Sequence, residues 1–214
     1  MSLIIDWLFP QNCFGCGKGK EYLCNLCESQ IKNGELIKKN GFEGIISIYK
    51  YDGLIKIIIE KIKYGFISDA AGEMAEKIAK KLKIDYPNIV KYWQEEGYCL
   101  IPIPLHPQRQ RWRGFNQSEL LADKLAKILN LKYKNNLIMR KLNIKNQAKI
   151  KNREEKWKNM SNVFEVASKK KIPKKVILVD DVITSGATMT AALRTLKNSG
   201  TNLGWGLTLA GVQK

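Results

Sequence analysis

Short apolar runs and helix-spaced apolar stripes take turns along residues 98–214, as strands and helices do in successive βαβ units. Tyr98 to Pro104 is an apolar run closed by prolines, which predicts a buried strand emptying into a loop. Leu120, Leu121, Leu125, Ile128 and Leu129 share one stripe and predict a helix to about Asn130. Asn116 and Glu119 stand at capping-box spacing at its start. A short strand is expected over Leu137 to Leu142, and Val176 to Val179 reads as a parallel strand covered on both faces. A helix from about Ala187 to Asn198 and a strand near Gly206 to Ala210 complete the run. The expected class is α/β, a mainly parallel sheet flanked by helices.

Upstream, Gly44 to Tyr51 alternates as a strand does, Asp52-Gly53 marks a turn, and Leu54 to Ile62 reads as a Lys-studded helix. Ser68 to Leu82 predicts a second amphipathic helix with Ser68 and Asp69 as candidate caps, and Lys63-Tyr64-Gly65 lies between the two. Residues 83–97 read as a looser polar stretch, and 143–160, without apolar periodicity, as a mobile loop. Residues 1–35 hold too few apolar side chains to bury a core without a metal or disulfides. The chain therefore divides into an appended module, residues 1–35, and a main domain, residues 36–214.

The chain carries 37 Lys and Arg against 20 Asp and Glu, a net charge of +17. That balance favours anionic partners such as nucleic acid, phosphorylated metabolites or an acidic lipid surface. Low-GC coding can also enrich Lys, Ile and Asn together, with the lysines merely solvating outer helix faces. No run of 18 apolar residues occurs, and the opening M-S-L-I-I-D-W-L-F-P lacks the basic flank and cleavage site of a signal peptide. The expectation is no membrane insertion and, by default, a cytoplasmic location.

Chemistry concentrates where the Val176 to Val179 strand runs into Asp180 and Asp181 and then turns through Thr184, Ser185, Gly186, Ala187 and Thr188 into a helix. Ligands of parallel sheets sit at this carboxyl edge. Unpartnered N–H groups at a helix start, together with these hydroxyls, suit a phosphate, and Gly186 lets the backbone come close. Two ionised carboxylates suit the paired hydroxyls of a ribose, because two donors need two converging acceptors. The plainer reading is a solvated strand end followed by an ordinary helix cap. Arg109, Arg111 and Arg113 form the densest cationic loop and follow a strand, so they can reach the same edge; otherwise they are solvated surface arginines.

The run V-I-L-V-D-D-V-I-T-S-G-A-T at 176–188 matches the signature of type I phosphoribosyltransferases at every position. I-P-I-P-L-H-P-Q-R-Q-R-W-R-G-F-N-Q-S at 101–118 resembles the hallmark of the ComF (ComFC) family. That family joins a zinc-binding N-terminus to a phosphoribosyltransferase domain and is associated with DNA uptake in natural competence. The resemblance implies that Asp180 and Asp181 hold the ribose hydroxyls of phosphoribosyl diphosphate and that Thr184 to Thr188 bind its 5-phosphate. It further implies that Arg109, Arg113 and Gly114 face the diphosphate, and that Gln147, Arg153 and Asn159 belong to a closing lid.

Cys13-x-x-Cys16 and Cys24-x-x-Cys27 are two tight knuckles whose four thiolates suit tetrahedral zinc, with Gly15 and Gly17 easing the first. Their gap is shorter than the roughly 15 to 20 residues common in zinc ribbons. A structural zinc is expected, the alternatives being an iron–sulfur cluster or reduced free thiols. Cys99, on a predicted buried strand, reads as core.

His106 is the only histidine, which disfavours Ser-His or Cys-His nucleophilic catalysis, and no G-x-x-x-x-G-K-[ST] motif occurs. Two functions remain. The first is a ComF-type protein in DNA uptake, binding phosphoribosyl diphosphate or a related phosphorylated ligand and single-stranded DNA, with competence-machinery proteins as partners. Trp112, Phe115 and Trp157 are its candidate base-stacking residues, unless they are core or lid packing. The second is an active, Mg²⁺-dependent nucleobase phosphoribosyltransferase of nucleotide salvage, with Asp180, Asp181 and Arg113 in catalytic roles. Such a reaction rests on positioning and on neutralising the leaving diphosphate.

Overall fold

The computed structural model describes residues 11–65, 67–140, 163–167 and 171–212. Its strands are β1 (Leu36–Ile37), β2 (Gly44–Lys50), β3 (Cys99–Pro102), β4 (Lys132–Tyr133), β5 (Ile138–Arg140), β6 (Phe164–Val166), β7 (Lys175–Ile183) and β8 (Leu203–Gly211). Its helices are α1 (Asn25–Glu28), α2 (Gly53–Tyr64), α3 (Ser68–Asp85), α4 (Pro87–Glu95), α5 (Pro107–Arg113), α6 (Gln117–Leu129) and α7 (Ala187–Asn198).

Six strands form one sheet in the order β1-β2-β8-β7-β3-β4. Every pairing from β2 to β4 is parallel, and only β1 joins antiparallel, so the sheet is mainly parallel as expected. β5 and β6 make a separate antiparallel pair. Period-two alternation sends β7 to both sides. Ile177 and Val179 enter one buried cluster with Ile58, Met74, Leu82, Leu121 and Leu125, whereas Val176 and Leu178 enter another with Met189, Leu193 and Phe164. Helices thus cover both faces, which is why β7 reads as an unbroken apolar run.

Four sequence expectations change. Residues 83–97 are not a loose stretch: Pro87 opens α4, whose buried side chains are Val90 and Trp93. Its stripe of Ile89, Val90 and Trp93 spans little more than one turn, too short to stand out from the charged residues around it. Ser68 and Asp69 are not caps, because both lie inside the first turn of α3 behind Ile67. The arginine-rich loop is a helix, α5, with His106 Nδ1 accepting from the Gln108 N–H at 3.3 Å and Gly114 closing it in the left-handed region. Pro at N1 and Gly at C′ were its only signals, since α5 has no apolar stripe. Asn116 does cap α6, accepting from the Ser118 N–H at 3.1 Å, but Glu119 turns away to accept from Asn135.

Candidate functional site

β3 stops pairing with β7 at Val179, while β8 follows β7 to Ile183, so Asp180 and Asp181 stand beyond the end of β3 on a strand still held from the other side. The Ile103 N–H donates to Val179 O at 2.9 Å and ends that ladder. The gap beside the two acids is filled by the start of α6. Ser118 Oγ donates to Asp180 Oδ1 at 2.9 Å, and Gln117 Nε2 donates to Asp181 Oδ2 at 2.7 Å. Asn116 Nδ2 donates to Ile103 O at 3.0 Å, which ties that helix start to the end of β3.

Lys63, in the last turn of α2, places Nζ 2.9 Å from Asp181 Oδ2. Arg113, at the end of α5, is 3% exposed; it donates to Gln117 Oε1 and lies over the Tyr64 ring at 5.6 Å. Asp181 is therefore the hub of a buried network reached from α2, α6 and, through Gln117, α5. Burial, and next the Asp181 charge, raise the Asp180 carboxyl to about 7, against hydrogen bonds from the Asp181 N–H and Ser118. Burial lowers the guanidinium pKa of Arg113, with the Asp181 charge opposing, and that of Arg140, with the Asp180 charge opposing.

The turn after β7 ends at Gly186, whose φ of 72° is a left-handed conformation that Cβ disfavours. With Gly186 at its N-cap, α7 has no side-chain cap; the Ala187 N–H reaches Ser185 Oγ at 3.4 Å. Thr184 and Ser185 are exposed and Thr188 is half-buried. Lys39 Nζ donates to Ser185 O at 2.8 Å, adding a cation to the turn.

Of the residues singled out in the sequence, Asp180, Asp181 and Arg113 come together with Gln117. Thr184 to Thr188 follow on the same edge. Gly114 serves as the α5 C-cap and Arg109 is exposed on α5. Gln147, Arg153, Trp157, Asn159 and the 143–160 loop lie outside the described residues. Sequence reading missed Lys63, Gln117, Ser118, Arg140 and Lys39 as neighbours of the acids and the turn. Lys63 stood in a noted tripeptide and Gln117-Ser118 beside the noted cap, but nothing in the chain pointed to Lys39 or Arg140.

The second candidate site gathers Cys13, Cys16, Cys24 and Cys27, with all four sulfurs within 4.8 Å of one another. A tetrahedral ion with ~2.3 Å metal–sulfur bonds needs edges of about 3.8 Å, so the set fits. Cys16 and Cys24 sulfurs are 3.9 Å apart. Burial raises the Cys13 thiol, but N–H groups of Cys24, Cys16 and Gly15 outweigh it and bring it down to about 6. A Cβ on Gly15 would meet Cys27 Sγ at 2.8 Å and Leu54 at 2.9 Å, so the knuckle admits no larger residue there. Glu73 of α3 accepts from the Tyr22 and Leu23 N–H groups at 2.8 Å each. Glu28 accepts from Tyr49 at 2.6 Å and pairs with Lys77 at 2.9 Å. Cys99 is buried core, its thiol raised to about 11 by burial.

Comparison with known proteins bears on this arrangement. Residues 116–203 match the phosphoribosyl transferase domain model. The chain is 28% identical over 209 residues to Competence protein F of Haemophilus influenzae, covering 94% of this chain and 86% of that one. It is 29% identical to Competence protein ComFC of Bacillus subtilis, covering 86% and 71%. It is 30% identical over 207 residues to DNA utilization protein YhgH of Shigella flexneri, covering 91% and 86%. The chain belongs to the ComF family. Within that family its phosphoribosyltransferase match begins at Asn116, the cap that fixes Gln117 and Ser118 against the two acids. Among the described residues of this ComF protein no helix is long and apolar enough to cross a membrane.

Proposed function

We propose that this ComF-family protein binds phosphoribosyl diphosphate, or a related ribose 5-phosphate ligand, at the carboxyl edge of its sheet and acts in DNA uptake. The observation that carries the reading is the adjacency of a braced carboxylate pair to the uncapped start of α7. On this reading Asp180 and Asp181 accept the ribose hydroxyls. The amides and hydroxyls of Thr184 to Thr188 take the 5-phosphate at a helix N-terminus, with Lys39 alongside. Arg109, Arg113 and Gly114 lie toward the diphosphate, and Mg²⁺ would accompany it, drawing on carboxylate and phosphate oxygens. Asp180 accepts from a ribose hydroxyl most strongly when ionised, and the Lys63 cation opposes the burial that raises its pKa.

Titration calorimetry with Mg²⁺-phosphoribosyl diphosphate tests this directly. Wild-type protein should bind, and Asp180→Asn and Asp181→Asn should each weaken binding by at least about 10-fold, the loss of one charge-assisted contact. Absence of wild-type binding overturns the reading. Diphosphate release with any nucleobase, abolished by those substitutions, would convert it to the salvage transferase.

The DNA part of the proposal draws on the net charge of +17 and on relatives named for competence and DNA utilization. Single-stranded DNA should bind with an affinity that falls steeply with salt. No binding at low salt removes that part. The four cysteines are proposed to hold one structural zinc, with residues 1–35 as the zinc-binding module and 36–214 as the phosphoribosyltransferase-type domain, both contributing to one buried cluster. Freshly purified, unchelated protein should carry about one zinc per chain, and Cys27→Ser should lose it. A ratio far below that refutes the zinc.

A further inference from the structure

Lysines that the candidate site leaves unused gather at the other end of the sheet. β3, β4 and β7 run parallel and start together, with Lys132 opposite Cys99 and Cys99 opposite Val176. Over the start of β3 lies an open cleft, rimmed by Lys132 and Lys134 on the β4 side and by Lys171, Lys174 and Lys175 on the β7 side. Lysines on an edge strand such as β4 are accounted for as guards against pairing with another strand. That account does not reach the other three, because β7 is paired on both sides. Two segments far apart in the chain thus bring their cations to one hollow.

The backbone of this rim is fixed, while most of its charges are uncommitted. The Pro173 carbonyl accepts from Thr201 Oγ1 at 2.8 Å, and the Lys174 carbonyl accepts from the Asn202 N–H at 2.8 Å. Lys134 Nζ donates to the Lys171 carbonyl at 2.7 Å and so links the two walls. Glu96, the one acid of the lining, pairs with Lys175. Among the described residues no carboxylate stands at ion-pair distance from Lys132, Lys134, Lys171 or Lys174. The balance differs elsewhere: the hollow bounded by α3, α6 and Tyr22 sets Asp69, Glu73, Glu76 and Asp123 against Lys124. An anion is therefore drawn to one of these hollows and turned away from the other.

The shape says which anion. β4 and β7 flank β3 at one strand spacing each, so the walls stand roughly 10 Å apart. One phosphodiester strand fits between them, and a duplex is too wide to enter. Ammonium groups are point charges without a fork, so they neutralise a repeating anion without selecting its sequence. Ile172 and Pro173 on the floor offer apolar contact to sugars and bases. Along β7, Lys175 lies about 17 Å before Asp180 at the rise of a strand, so a chain in the cleft leaves the paired acids free. We propose that this cleft carries the backbone of single-stranded DNA, at the opposite edge of the sheet from Asp180 and Asp181, so that both ligands are held at once. The proposal rests on the DNA part of the reading above and gives that part a place.

Fluorescence anisotropy with a labelled oligothymidylate compares wild type with the double variants Lys132→Ala/Lys134→Ala and Lys171→Ala/Lys174→Ala. Lys56→Ala/Lys80→Ala makes the same change of charge at two exposed lysines outside the cleft. Each phosphate contact of a single strand adds about 0.7 to the slope of log affinity on log salt, so each cleft variant should lower the slope by about 1.4 and weaken binding about 25-fold at ~0.1 M salt. The outside pair should weaken it by less than about threefold. Saturating Mg²⁺-phosphoribosyl diphosphate should leave the affinity unchanged. Equal losses in the cleft and outside variants, or none in either cleft variant, overturn the proposal and leave the DNA reading standing. Displacement of the strand by phosphoribosyl diphosphate overturns it too, as does a duplex that binds equally well through the same lysines. If wild type binds no oligothymidylate at low salt, the DNA reading falls and the cleft with it.

Discussion

At the carboxyl edge of the sheet the cations are committed. Arg113 is buried against Gln117 and the Tyr64 ring, and Lys63 is paired with Asp181, each delivered by a different helix. At the amino edge Lys132, Lys134, Lys171, Lys174 and Lys175 rim an open cleft of about 530 Å³ floored by Cys99, Tyr133, Ile172 and Pro173. There the cations have exposed partners, Lys175 with Glu96 and Lys134 with the Lys171 carbonyl. The hollow rimmed by five lysines is thus the one whose cations reach outward rather than onto a buried acid. Charge and volume mark where anions can gather, whereas opposed groups held by several elements mark where a ligand is positioned.

Substitutions can break that contrast. Asp181→Ala should have the largest effect, because it strands Lys63 and Gln117. A loss of about 3 kcal/mol in urea unfolding is expected, the low end for orphaning one partner of a buried pair. A loss under about 0.5 kcal/mol would reduce the network to a surface ion pair.

Asp180 sharpens the contrast through pH. Its folded pKa, about 7, lies above the ordinary value near 4, so between these the folded chain holds a proton that the unfolded chain has lost. Its contribution to stability is complete below about pH 4 and is lost as pH rises to about 7. The stability difference between wild type and Asp180→Asn should therefore shift against wild type across that window. A pH-independent difference contradicts the burial of the pair.

Gly186→Ala is expected to cost about 1 kcal/mol, for a left-handed φ rather than for space, since the atoms it would meet are the flexible end of Lys39. The smallest effect belongs to the amino edge. Lys174→Ala should change stability by less than about 0.5 kcal/mol, and a larger loss in a melt would mean that the cleft is as organised as the opposite edge.

Much of the fold was legible because its signals are local. The apolar run of β7, the stripe of α6 and the bounds of α7 follow from residues adjacent in the chain or one turn apart. α4 and α5 escaped notice because both are short, one with a stripe of little more than one turn and the other with none. In the candidate site Asp180, Asp181 and Thr184 to Thr188 were visible as one strand–turn–helix segment, and the four cysteines as two knuckles. Arg113 was visible as a cation but not as a buried one.

The sequence by itself determined the strand–turn–helix segment, the thiol set and the parallel α/β class, since each depends on spacing within a few residues. Only the tertiary structure decided that Lys63, Gln117 and Ser118 meet the acids and that Lys39 meets the Ser185 turn. Those meetings join residues up to 146 positions apart, as Lys39 and Ser185 are. They are set by how α2, α5 and α6 pack on the sheet, and packing is a property of the assembled core rather than of any segment within it.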